Sequence, residues 1–161
     1  MIDKVDAITP GAGIRLRKKG VVDFNGMYKD MRAWFGGNDY VFFEKEQSVK
    51  DKDLGREITI KWEAKREIDA YAQFNIKVNF FIQNVEERRE QNKKMQDGNF
   101  EIKFWAEVVL DYADKWERKP FGQFLFRLYN NMVIKSKIQN VYEDKLDKEL
   151  QSLIAIARSY L

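Results

Sequence analysis

The 161-residue chain contains neither cysteine nor histidine. Without cysteine there are no disulfides, no thiolate nucleophile, no zinc finger and no iron–sulfur ligation. Without histidine the commonest general base and the commonest metal ligand are gone as well. Proline is scarce, at positions 10 and 120 only, and no linker-like stretch or internal repeat interrupts the chain, which suits one domain over residues 1–161. No run of about 18 apolar residues occurs, so no membrane-spanning helix is expected. Charge of one sign is missing too, because 29 Lys and Arg face 26 Asp and Glu along the whole length. The first ten residues carry Asp3, Lys4 and Asp6 and no apolar signal core. A cytoplasmic location is the expectation.

The familiar chemical motifs are absent in turn. Gly11-x-Gly13 has no third glycine at the dinucleotide-binding spacing, and neither a P-loop nor a GxSxG elbow is present. Asp51, Asp53 and Glu57 do not match an EF-hand loop, and Lys50 and Lys52 interleave them. No metal and no cofactor are expected. Acid–base work would fall to Asp, Glu, Lys or Tyr. Asp111 and Asp114, beside Tyr112, are the least ordinary acids, although turn roles suit them.

What the chain does have is a core. Apolar residues make up 44% and aromatics 14%. Residues 1–12 read as an irregular lead-in. Ile14 and Leu16 alternate with Arg15 and Arg17 in a first strand over 14–22. A short helix over 24–35 follows, with Asp23 or Asn25 as cap, Gly36-Gly37 as stop, and Phe24, Tyr28, Met31 and Phe35 on one face. The period then switches to two. One strand spans about 40–49 and closes on a turn at Lys50–Asp53. Ile58, Ile60, Trp62 and Ala64 share the inward face of the next, and a turn near Glu67 leads to 70–82. There Ala70, Ala72, Phe74, Ile76, Val78, Phe80 and Ile82 point inward; Phe100, Ile102, Phe104, Ala106, Val108, Leu110 and Tyr112 repeat the pattern. Paired residues must share a face, so the two long strands pair in register only with a bulge or a looser, charged connection across 86–98. Residues 120–161 read as a C-terminal helical segment, bent near 130–136 or overhanging the sheet. The fold class is therefore α+β: a long-stranded, curved antiparallel sheet of about five or more strands, a short helix after the first strand, and a long C-terminal helix packed on the sheet.

This order over residues 14–161 resembles the helix-grip topology of the START-like (SRPBCC) superfamily. The segments 63–78 and 121–129 are also similar to small uncharacterised archaeal proteins. The START-like resemblance implies a curved sheet wrapped on the last helix, with a cavity between them. On that reading Trp62, Phe74, Ile76, Val78, Phe104 and Ala106, with Leu125 and Leu128 of the helix, line a site for an apolar or amphipathic small molecule. The same residues equally suit a filled core. Phe81, Trp105 and Val109 have outward parity, so they suit a protein-interaction or self-association surface, or a face covered by the N-terminal segment. The acids Glu63, Glu101 and Glu107 alternate with Lys61, Lys65 and Lys103 and read as cross-strand charge pairs. Arg15, Arg17, Lys18 and Lys19 suit a solvated strand edge or an anionic contact. With acids interleaved so evenly, nucleic acid is the least favoured partner. Non-catalytic binding is favoured over a carboxylate- or lysine-based enzyme.

Overall fold

The computed structural model describes residues 5–69, 72–110 and 141–161. Six antiparallel strands form one sheet: β1 (Val5–Ala7), β2 (Ile14–Val22), β3 (Val41–Lys52), β4 (Gly55–Glu67), β5 (Ala72–Glu90) and β6 (Lys93–Leu110). Helix α1 (Phe24–Gly37) lies between β2 and β3, and α2 (Glu143–Tyr160) ends the chain. The order across the sheet is β1, β6, β5, β4, β3, with β2 also on β6. So β1 and β2 share one edge, and α1 carries the chain across to the other. The lead-in is thus not wholly irregular, because Val5–Ala7 pairs with Glu107–Val109. The described residues thus hold six strands, in line with the five or more expected, and α1 follows the second strand rather than the first.

The parity argument holds on the three long strands. Ile60, Trp62 and Ala64, the even residues from Ala72 to Ile82, and those from Phe100 to Leu110 are all buried. The two longest strands meet through a two-residue turn, Gln91-Asn92, with φ of 52° and 63°. Positive φ at both positions is the turn geometry that matches strand twist. Such a turn alone would set inward residues against outward ones. One extra residue in β5 corrects this: Gln83 pairs with Asn99, but Glu86 pairs with Asp97. The same bulge shifts β4, where Ile58 pairs with Ile82 and Arg56 with Val85. Asn84 sits in it at φ 57°. Both neighbouring strands meet the bulge with glycine. A Cβ on Gly98 would stand 2.9 Å from the Gln83 carbonyl oxygen, and one on Gly55 2.9 Å from the Asn84 carbonyl carbon. Asp97-Gly98 is therefore mid-strand and makes no turn.

Three boundaries differ from the sequence expectation. β3 runs on through Lys50, Asp51 and Lys52, so its turn to β4 is only Asp53-Leu54. An Asp51–Arg56 pair at 3.2 Å keeps those charges in the ladder. β4 likewise continues through Lys65, Arg66 and Glu67, which puts the next turn beyond Glu67; there Asp69 Oδ1 accepts the Ala72 N–H at 2.8 Å. Helix α1 runs through Gly36-Gly37, and Asp39 (φ 63°) ends it. The Asp39 N–H donates to Gly36 O and the Tyr40 N–H to Phe35 O, which is the paired closure usually made with glycine. The expected bend near 130–136 lies outside the described residues.

Both helices among the described residues cover the inner face. Met27, Met31 and Phe35 of α1 and Leu146, Leu150, Leu153, Ile154 and Ala157 of α2 are buried in one cluster with the strands. The Trp34 indole N–H donates to Ser152 Oγ at 3.1 Å between the helices. Arg66 of β4 forks onto Glu149 of α2 and lies over the Tyr40 and Phe74 rings, 5.2 and 5.6 Å from their centroids. Burial raises the Glu149 carboxyl above its usual range even against the lowering effect of Arg66.

Three outcomes follow. Gly98→Ala is expected to cost roughly 1–3 kcal/mol in chemical denaturation, because the methyl meets backbone. Gly36→Ala, with open space around its Cβ, should instead stabilise by about 0.5–1 kcal/mol. Arg66→Ala leaves Glu149 half-buried without its cation and should cost about 3 kcal/mol, whereas the paired change Arg66→Met with Glu149→Leu should stay within about 1 kcal/mol of the parent.

Candidate functional site

The residues read as cavity-lining lie together on the inner face. Trp62, Phe74, Ile76, Val78, Phe104 and Ala106 are each no more than 2% exposed. Leu125 and Leu128 fall outside the described residues, as do Asp111, Tyr112 and Asp114. Trp62 is the hub. Its ring stands 4.6 Å from Phe80, 5.1 Å from Phe42 and Tyr28, and 6.0 Å from Phe35, all edge to face. Its indole N–H donates to Glu44 Oε1 at 3.4 Å, and the same oxygen accepts the Tyr28 hydroxyl at 2.8 Å. Burial first, and then this carboxylate, raises the Tyr28 hydroxyl above its ordinary range. Sequence reading missed Glu44, because Tyr40, just before β3, and Phe42 face inward here while Val41 and Phe43 are exposed.

Where the sheet extends beyond the start of α1, the inner face opens into a groove of about 550 Å³. Phe24, Val49, Ile58, Ile60 and Val85 supply its apolar side; Gln47, Arg56, Glu87, Lys94 and Gln96 supply its polar side. The bulge turns Val85 into the interior, although Val85 has the wrong parity for the rest of β5. Three side chains fix the helix start against this opening. Asp23 Oδ1 accepts the Gly26 N–H at 3.0 Å, which makes it the cap. Gln96 Oε1 accepts the Phe24 N–H at 3.1 Å. Lys93 Nζ stands 2.6 Å from Asp23 Oδ2. The Lys93 ammonium holds the Asp23 carboxyl below its usual value, against the opposing effect of burial. Of these, only the cap was legible; Lys93 and Gln96 lie in the stretch read as a connection.

The outer face carries the charge pairs. Glu63 meets Lys65 at 3.7 Å and Lys45 at 4.0 Å, Lys61 meets Glu46 at 3.3 Å, and Lys103 meets Glu101 at 3.5 Å. Glu101 also takes Arg17 at 3.0 Å and Arg15 at 3.9 Å, so part of the basic run lies along the β2 edge. Glu107 departs from the pattern: its partner is the Asn75 amide at 3.3 Å. Phe81, Trp105 and Val109 do not form one patch. Phe81 sits opposite Glu101, and four-residue steps of about 13 Å separate Glu101, Trp105 and Val109 along β6. The N-terminal segment reaches two of them: the Trp105 indole N–H donates to Gly11 O at 3.2 Å, and Val5 pairs with Val109.

The Asp23 cluster sets a pH dependence. A lowered folded-state pKa stabilises the fold above the unfolded value, near 3.8, and that contribution is lost as pH falls through the folded value. Asp23→Asn keeps a capping oxygen but not the charge pair, so its stability should fall less than the parent's between about pH 5 and pH 2. Asp23→Ala should lose about 1 kcal/mol more at neutral pH. Urea unfolding across that range checks both.

No protein-family model matches the chain, and no curated protein matches it either.

Proposed function

We propose that the protein binds an apolar or amphipathic small molecule, without catalysis, on the inner face between the sheet and the helices that cover it. The groove beside the start of α1 carries this reading. Its volume lies within the range of small-molecule sites, about 300–1,000 Å³. Its lining combines apolar side chains with polar and charged ones, a mixture that suits an amphipathic molecule. The START-like resemblance in topology adds to the reading. The polarity of the interior supports it too: among the described residues the buried polar side chains are Asp23, Asn75 and Gln96. Two of these secure the helix start, and the third faces the other side of the sheet.

A second reading, docking of a protein partner, draws on β3. Val41 and Phe43 of this outermost strand are 59% and 46% exposed. The Glu44–Glu46 bulge and the Lys45 ammonium over the Phe43 ring are features that commonly guard such an edge.

Native mass spectrometry of detergent-free protein and titration with dodecanoate test the first reading. Saturable binding is expected. Ile58→Trp, which fills the groove, and Val49→Arg, which charges its exposed wall, should each weaken it about tenfold, or about 1.4 kcal/mol. No co-purified molecule and no saturable dodecanoate binding sinks the proposal. A concentration-dependent mass that Phe43→Glu abolishes, in the absence of ligand, would favour the second reading.

A further inference from the structure

β3 ends the sheet, and among the described residues nothing pairs with its outer edge. The features that guard this edge, the Glu44–Glu46 bulge and the Lys45 ammonium, lie in its first half. Beyond them the strand is regular. Glu46, Gln47, Ser48, Val49 and Lys50 pair one for one with Lys61, Ile60, Thr59, Ile58 and Glu57 of β4. All of these β3 residues but Ser48 are exposed, and Val49, an apolar side chain, is 54% exposed. The stretch offers backbone donors and acceptors to another strand, with neither a proline nor a bulge to refuse it.

The order of its side chains decides which strand fits. Residues directly opposite each other in a sheet share a face. Glu46, Ser48 and Lys50 share the face of Lys61, Thr59 and Glu57, while Gln47 and Val49 share the inner face of Ile60 and Ile58. A second copy of β3, run antiparallel with Ser48 on a two-fold axis, matches these faces. Glu46 then meets Lys50 of the second copy, twice by symmetry, and Gln47 meets Val49. Within one copy Lys61 already stands 3.3 Å from Glu46, and Glu57 is the register partner of Lys50. The pairing therefore carries a row of alternating charge, Lys61, Glu46, Lys50 and Glu57, straight across the axis. Moving the axis to Gln47 sets Glu46 against Ser48. Moving it to Val49 sets Lys50 against Ser48 and shifts Glu46 to Lys52. Either change breaks the row.

We infer that the protein self-associates through Glu46–Lys50 of β3 into a two-fold dimer, in which the two six-stranded sheets join edge to edge. The inference rests on the reading of β3 as a docking edge and names the partner as a second copy of this chain. Pairing covers the exposed Val49. Because Gln47 and Val49 also line the inner-face groove, the grooves of the two copies adjoin at the axis. Five residues give a ladder of about 17 Å. So short an edge suits a transient dimer, with a Kd on the order of 100 µM.

The test uses the full chain, with translational diffusion by NMR and sedimentation from about 20 µM to about 1 mM. The apparent mass is expected to rise from one chain toward two across that range. Glu46→Lys and Lys50→Glu each set like charges opposite one another and should each weaken the dimer by about tenfold or more. Mixing the two variants restores opposite charges at both contacts, so a heterodimer of about the parent's affinity should form. That recovery also shows that both variants fold. Because the chain has no native cysteine, single cysteines report the axis. Ser48→Cys should oxidise to a disulfide dimer about tenfold faster than Gln47→Cys or Val49→Cys. Three results overturn the inference. A chain that stays monomeric to about 1 mM does so, and also withdraws the mass dependence that would favour the docking reading. A dimer that Lys50→Glu leaves intact, or that mixing fails to recover, does so too; if Phe43→Glu abolishes that dimer, the docking reading stands with a different register. Fastest oxidation at Gln47→Cys or Val49→Cys is the third.

Discussion

Side chains alternate along a strand with a period of two, and the rest of this fold depends on reconciling that period with one turn. β5 and β6 are the longest strands and bury the same parity over most of their length. A two-residue turn between them forces odd residues opposite even ones. The extra residue at Asn84 restores the match, at the cost of a local break in the ladder on both sides of β5. Because β5 is central, its neighbours must make room, and they do so with Gly55 and Gly98. Gly98 in turn pairs with Gly20 of β2 (φ 143°). A line of residues without side chains, broken only by the bulge, therefore crosses four strands. On one side of it the sheet is a packed layer. On the other the strands run on as a charged ribbon, and the groove opens at the junction.

Among the described residues, the charge pairs of the packed layer lie at its two ends. At one end Arg66 and Glu149 join β4 to α2, beside the turn that Asp69 closes. At the other, Asp23, Lys93 and Gln96 hold the start of α1. The backbone N–H groups that begin a helix have no partners within it. Placed over an apolar sheet they need side chains to satisfy them, and Gln96 reaches there from β6 because the bulge has already set its parity inward. Between the clamps, Glu44 alone reaches in from β3 to satisfy the Trp62 indole.

What could be read in the sequence was what repeats. Seven inward residues along 70–82 set the period and the face and call for a bulge or a looser connection before the next strand, and residue type and position narrow the cap to Asp23 or Asn25. What could not be read depends on partners far away in the chain. Val5–Ala7 is too short to show a period and becomes a strand only because β6 is already there to pair with it. Lys50–Asp53 and the neighbourhood of Glu67 look like turns by composition, yet Lys50, Asp51 and Lys52 pair with Glu57, Arg56 and Gly55, and Glu67 pairs with Gln73. Phe81, Trp105 and Val109 share a parity, but parity alone does not set how far apart they lie. Glu107 groups with the alternating charges, yet Trp105 and Val109 flank it on that face and Asn75 stands opposite, so it pairs with an amide.

That segment is the least regular part of the edge, and its irregularity has a structural consequence. Had residues 5–22 formed one continuous strand on β6, the outer face of β5 would carry no cover. Instead the pairing breaks after Ala7. Ile8 and Thr9 still hold the Ala106 backbone, at 3.0 and 3.3 Å. The Gly13 N–H then closes a turn on Pro10 O at 2.8 Å, and pairing resumes at Ile14 opposite Phe104. Pro10 has no N–H to give to a ladder, and Gly13 takes a φ that few side chains tolerate. Both residues are therefore suited to a chain that leaves the sheet plane and returns within six residues. The excursion sets Gly11 against Trp105 and leaves Asn75 buried, so a break in one edge strand is what lays a segment of chain over the outer face of β5 and β6.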